Sequence, residues 1–162
     1  MGDRDALLPA FARSIWAKAR ALNDPDLTNR GRVRLLESIS DDIKKYSDFV
    51  QPEASRAALQ RAAQLEVDLC AKGWHDQPTF DAKRQVFHWE HVRPVSAVRK
   101  ACVEAASEVD VADALQRLLR VAWILKEEDR VLTRLGYRSR REDPEAAYRH
   151  AQIELIARPK SV

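Results

Sequence analysis

Residues 5–22 read DALLPAFARSIWAKARAL. Leu8, Phe11, Ala12, Ile15, Ala19 and Leu22 recur there at intervals of three and four, the spacing that stacks side chains on one face of an α-helix. Asn23, Asp24 and Pro25 end the pattern, because proline disfavours helical geometry in the residue before it. The same periodicity returns over residues 29–49, where Leu36, Ile39, Ile43, Tyr46 and Val50 form a second stripe that fits against the first as an antiparallel hairpin. A third helix is expected to open at Pro52, expose its polar side and close on Gly73 as a left-handed cap.

Downstream, Pro94 and Ser96 start a helix through Val98, Cys102 and Ala105. Val111, Leu115, Leu118, Leu119, Ala122 and Leu125 extend a longer helical pattern to a break near Lys126. Glu127, Glu128 and Asp129 then place three acids where the helix dipole favours negative charge, ahead of Val131, Leu132, Leu135 and a capping Gly136. A last helix begins at Asp143 and Pro144 and runs toward Ile153 or Leu155. Only residues 85–92 read as extended, since Phe87, Trp89 and His91 alternate with Val86, His88, Glu90 and Val92.

The fold class that follows is mainly α: a single domain over residues 1–162 of about six helices in a two-layer bundle, with a minor strand near 85–92. Within it, residues 1–73 form an N-terminal helical layer, residues 74–79 a boundary loop and residues 80–162 a C-terminal helical part. The chain is long enough to bury roughly 70% of its unfolded surface, and its 45% hydrophobic content excludes intrinsic disorder. With only four glycines, turn-rich all-β folds are disfavoured.

Composition also prunes the functions. Two cysteines, Cys70 and Cys102, are too few for a disulfide scaffold, and both are expected in the core. No run nears the ~18 apolar residues of a membrane span, and no leader pattern opens the chain, so a cytoplasmic protein without a membrane partner is expected. Phosphate-cradling glycine loops, dinucleotide fingerprints and serine elbows are absent from the sequence. A net charge of +3, carried by arginine far more than by lysine, suits an anionic partner such as DNA or RNA without demanding one.

Chemistry concentrates in VFHWEHVRPV, residues 86–95. If this stretch were helical, His88 and His91 would share a face and could grip a metal; in a strand they point to opposite sides. Cys70 and His75 match no zinc spacing. Glu90-His91-Val92-Arg93-Pro94-Val95-Ser96 resembles the opening half of the His-Me finger (HNH) nuclease motif, although no asparagine follows position 96. The resemblance implies His91 as the general base that activates water and Glu90 as a ligand of a divalent metal, with His88 a further candidate ligand.

A second candidate surface is the run holding Arg138, Arg140, Arg141 and Arg149 beside Tyr137 and Tyr148, residue types that grip phosphate and stack on bases. Glu142, Asp143 and Glu145 lie in the same run, so the alternative is a solvated loop whose charges pair locally. Two functions stand side by side: a small intracellular nucleic-acid-associated protein acting as a metal-dependent nuclease, and a non-catalytic helical interaction module of immunity, antitoxin or adaptor type that binds a protein partner. Trp74, in the boundary loop, is the tryptophan expected to be exposed.

Overall fold

A computed structural model describes residues 3–157. In chain order the elements are α1 (Asp3–Ala21), α2 (Asn29–Ser47), β1 (Glu53–Ser55), α3 (Arg56–Gln64), β2 (Phe87–His91), α4 (Val95–Glu104), α5 (Glu108–Leu118), β3 (Val121–Leu125), α6 (Lys126–Arg134), α7 (Pro144–His150) and β4 (Leu155–Ile156), with three short 3-10 segments between α3 and β2. The mainly α class with a minor β component is therefore what the chain adopts. No helix among the described residues is long and apolar enough to cross a membrane.

Contacts divide the chain into two compact units that interleave in sequence: residues up to Phe49 with Val95–Leu119, and Val50–Pro94 with the residues from Arg120 onward. Residues 74–79, expected as a boundary loop, form a 3-10 turn inside the second unit.

The first unit is helical, α1 packing on α2, α4 and α5. Its core holds Ile15, Ile39, Ile43, Tyr46, Val98, Cys102, Val111 and Leu115, the residues that recur at three and four along each helix. Each buried aliphatic side chain contributes about 1.5–3 kcal/mol. Thr28 and Ser107 cap α2 and α5 by accepting from backbone N–H groups three residues on.

The second unit is built on a four-stranded sheet of order β2-β3-β1-β4. β2 and β3 run antiparallel with Trp89 opposite Trp123 and Glu90 opposite Ala122; β1 is parallel to β3, and β4 antiparallel to β1. Residues directly opposite in a ladder share a face. His88 and Glu90 thus lie with Ala122 and Ile124, which are buried against Leu132 of α6 and Tyr148 of α7. Phe87 and Trp89 point the other way, Trp89 meeting Trp123 edge to face at 4.8 Å and Phe80 closing on Phe87 and Trp123.

Several expectations are corrected. The helix expected over 52–73 is instead β1 followed by α3 and ends at Gln64. Ser55, fully buried, accepts from Ala58 N–H at 3.0 Å and so starts the helix at Arg56 rather than Pro52. Glu66, at φ 56°, takes the left-handed position after α3, whereas Gly73 has φ −86°. The helical pattern expected through Leu125 breaks at Leu119, and residues 121–125 are β3. The last helix stops at His150. Cys102 is buried, but Cys70 is only half-buried. Gly136 does cap α6 at φ 83°.

Candidate cation centre on strand β2

The alternation of β2 decides which functional side chains can meet. His88 and Glu90 share the face covered by α6 and α7, while His91, one residue on, projects from the other. Glu90 and His91, paired by the nuclease resemblance, therefore do not present their side chains to one site.

Glu90 is 6% exposed, and its two oxygens have different partners. Oε1 is paired with Nη2 of Arg141, and Oε2 lies 3.0 Å from His88 Nε2. From the first turn of α6, Asp129 brings Oδ1 to within 3.7 Å of the same imidazole nitrogen. One donor atom from each of His88, Glu90 and Asp129 lies within 4.8 Å of the other two. His88 and Asp129 are each about a third exposed, so Glu90 forms the floor of a cluster that opens to solvent on the side of the other two.

Arg141 holds this floor in place. It is 5% exposed, and its guanidinium donates to the carbonyls of Tyr137 (2.6 Å), His91 and Val92 (both 3.2 Å) and to Tyr148 Oη (3.0 Å), besides pairing with Glu90. Burial pushes the Glu90 carboxyl upward, but the bonds and charges of His88 and Arg141 outweigh it and hold the group below its ordinary value. Tyr148 moves the opposite way, raised by burial and by the Glu90 charge, and remains a neutral phenol.

One imidazole nitrogen and two carboxylate oxygens at these separations suit a divalent cation, whose bonds to such donors are about 2.0–2.2 Å. Arg141 would act on the ion indirectly, by fixing the Glu90 carboxylate so that Oε2 faces His88 and Asp129. Binding requires neutral His88, since the ion takes the lone pair that a proton would otherwise hold.

The structure brings His88 and Glu90 together, adds Asp129, and separates His91. It also takes Arg141 off the surface: the residue expected to hold phosphate is a buried counter-ion. Arg138, Arg140 and Arg149 are exposed. Of the three acids expected to neutralise that run, Asp143 caps α7 through Ala146 N–H and Glu145 pairs with Arg120, while Glu142 is exposed. Asp129 was legible only as one of three acids opening a helix; Glu128 performs the end-stabilising role, accepting from Leu125 N–H at 2.8 Å, which leaves its neighbour to face His88.

Comparison with known proteins finds no matching family model, no matching curated protein and no matching solved structure.

Proposed function

We propose that this chain is a nucleic-acid-associated protein in which His88, Glu90 and Asp129 hold a divalent cation that serves phosphodiester hydrolysis. The observation that carries the reading is the convergence of the three donors, from two elements, on a floor fixed by a buried arginine. Exposed Arg138 and Arg140 lie in the same segment as Arg141 and supply cations for a phosphate backbone. A divalent ion held by His88, Glu90 and Asp129 would supply a water of lowered pKa and would offset charge on the phosphate. In this reading His91, on the opposite face of β2 from His88 and Glu90, has no part in the chemistry.

The test is binding of manganese to the full chain by calorimetry, followed by cleavage of single- and double-stranded DNA and RNA with magnesium or manganese. His88→Ala and Asp129→Ala should each weaken the ion by at least about tenfold, since losing even an outer partner of a ligand costs about 10- to 100-fold, while His91→Ala leaves it unchanged. Absence of saturable binding at millimolar manganese overturns the centre. Binding without cleavage of any nucleic acid overturns the hydrolytic role.

A second reading, a protein-interaction module, is favoured by one feature of the helical unit. Leu36 of α2 and Val103 of α4, with Ser96, Arg99, Lys100 and Glu104, line an open hollow of about 340 Å³, and nearby Val33 is 53% exposed. Stable capture of a protein partner that Val33→Asp and Val103→Asp abolish, with no cation dependence, would select it.

A further inference from the structure

Between α3 and β2 the chain brings an exposed indole and two cations together, outside the cation centre. Trp74 opens the 3-10 turn of residues 74–79 and is 42% exposed. The guanidinium of Arg84 lies over its ring at 3.9 Å, and Nη1 of the same group donates to Gln77 Oε1 at 2.8 Å. Lys83, beside it, is exposed. Lys83 and Arg84 sit consecutively in the left-handed region, at φ 60° and 53°, a conformation that residues with side chains adopt only where their surroundings impose it.

The imposing group is Asp81, 4% exposed. Its carboxylate accepts the N–H groups of Gln85 (2.9 Å), Val86 (3.1 Å) and Phe87 (2.9 Å), and the amide of Gln77 at 2.9 Å. Gln77, itself 2% exposed, donates the same amide to the Phe87 carbonyl at 2.8 Å. A buried acid and a buried amide thereby lock the path of residues 81–87 and fix where two cations emerge. Neither side chain is paired with a carboxylate among the described residues; the Arg84 guanidinium meets Gln77 and Trp74. The surface therefore keeps its positive charge, which is the condition for a basic patch to act.

We propose that Trp74, Lys83 and Arg84 form a docking platform for single-stranded nucleic acid, one base stacking on the indole while Lys83 and the outer edge of Arg84 meet adjacent phosphates. Exposed aromatic rings bind single strands because every base offers a π-face, whereas a duplex keeps its bases stacked on one another. An arginine already held 3.9 Å over the ring carries its charge beside the indole at little entropic cost. Arg84 is four positions ahead of His88, so the platform leads directly into the strand that carries the cation centre. The ligand class rests on the nucleic-acid reading above; the location does not.

The experiment is fluorescence anisotropy of a labelled twelve-residue oligothymidylate with the full chain in EDTA, which removes any contribution of a bound cation. Trp74→Ala should weaken binding roughly 5- to 150-fold, the range for losing one stacked base, with Trp74→Phe retaining most of it. Lys83→Gln should lower the slope of log affinity against log salt by about 0.7, the value for one phosphate contact on a single strand. Circular dichroism checks the fold of each variant, and should Trp74→Ala unfold, the slope of Lys83→Gln decides alone. Oligothymidylate binding that neither Trp74→Ala nor Lys83→Gln alters overturns the platform while leaving the nucleic-acid reading intact. No binding to oligothymidylate, RNA or duplex overturns both. Displacement by poly-glutamate at equal charge would show an unselective polyanion surface and overturn the nucleic-acid assignment.

Discussion

Removing the carboxylate of Glu90 tests whether the floor of the site is as tightly coupled as its geometry indicates. In Glu90→Gln the Arg141 guanidinium, 3% exposed at its side chain, keeps the carbonyls of Tyr137, Arg138, His91 and Val92 and the hydroxyl of Tyr148 but loses its one negative partner among the described residues. Breaking a buried ion pair from one side costs about 3–5 kcal/mol, because the remaining charge stays out of water uncompensated. Against a total stability of about 5–15 kcal/mol this is a large fraction. With a slope near 2 kcal/mol per molar urea, the midpoint should fall by roughly 1.5–2.5 M. Urea unfolding at pH 7 in EDTA, followed by tryptophan fluorescence, reads it without stabilisation from a bound ion. Arg141→Met should cost less, since His88 still bonds Glu90 and the carboxyl can take up a proton. The double variant should cost less than the sum of the two, but it will not be neutral, because four backbone carbonyls lose their donor. A Glu90→Gln loss under about 1 kcal/mol, the size of an exposed pair, would refute the account of Arg141 as a buried counter-ion.

The same pair sets an acid limb: Glu90 is held below its ordinary value near 4.3, so its contribution is complete above that pH and is lost as pH falls through the lower folded value. Urea midpoints of the parent chain should accordingly drop below about pH 4, and Glu90→Gln should show a shallower limb; equal limbs would contradict the assignment. Ser55→Ala removes both the cap of α3 and the hydroxyl donated to Glu128 at 2.6 Å, a loss of about 2 kcal/mol from a cap and a charge-assisted bond; a change under 0.5 kcal/mol would show that β1 alone starts the helix (~0.5 being the usual surface scatter). Burial pushes the Cys102 thiol up to about 11, so a thiol reagent at pH 8 should modify Cys102 only at the rate of unfolding, and prompt labelling of Cys102 in the folded chain would contradict its place in the helical core.

How far the sequence carries depends on whether the governing interaction is local. Helices α1 and α2 were readable because one face of each is buried and the other solvated, which writes a three-four period directly into Leu8–Leu22 and Leu36–Val50. Strand β3 was not: Val121, Ala122, Trp123 and Ile124 are all buried, so both faces are apolar and no period survives to separate a strand from the end of a helix. β1 and β4 are three and two residues long and exist only because Ala54 pairs with Trp123 and Ile156, partners remote in the chain. The site divides along the same line. His88 and Glu90 are two residues apart, and strand alternation alone puts them on one face. Arg141 lies 51 residues from Glu90, in a run rich in acids, and local reasoning assigns it to Glu142, Asp143 or Glu145. The structure resolves the competition by desolvation: Asp143 and Glu145 remain at the surface, where pairing gains little, whereas Glu90 is buried and has no alternative but a full counter-charge. A buried acid on a strand thus recruits the one arginine of the run that can reach inside, and frees Arg138 and Arg140 for solvent or a ligand. That division of labour among arginines of identical chemistry is set by depth, a quantity that residue order does not carry.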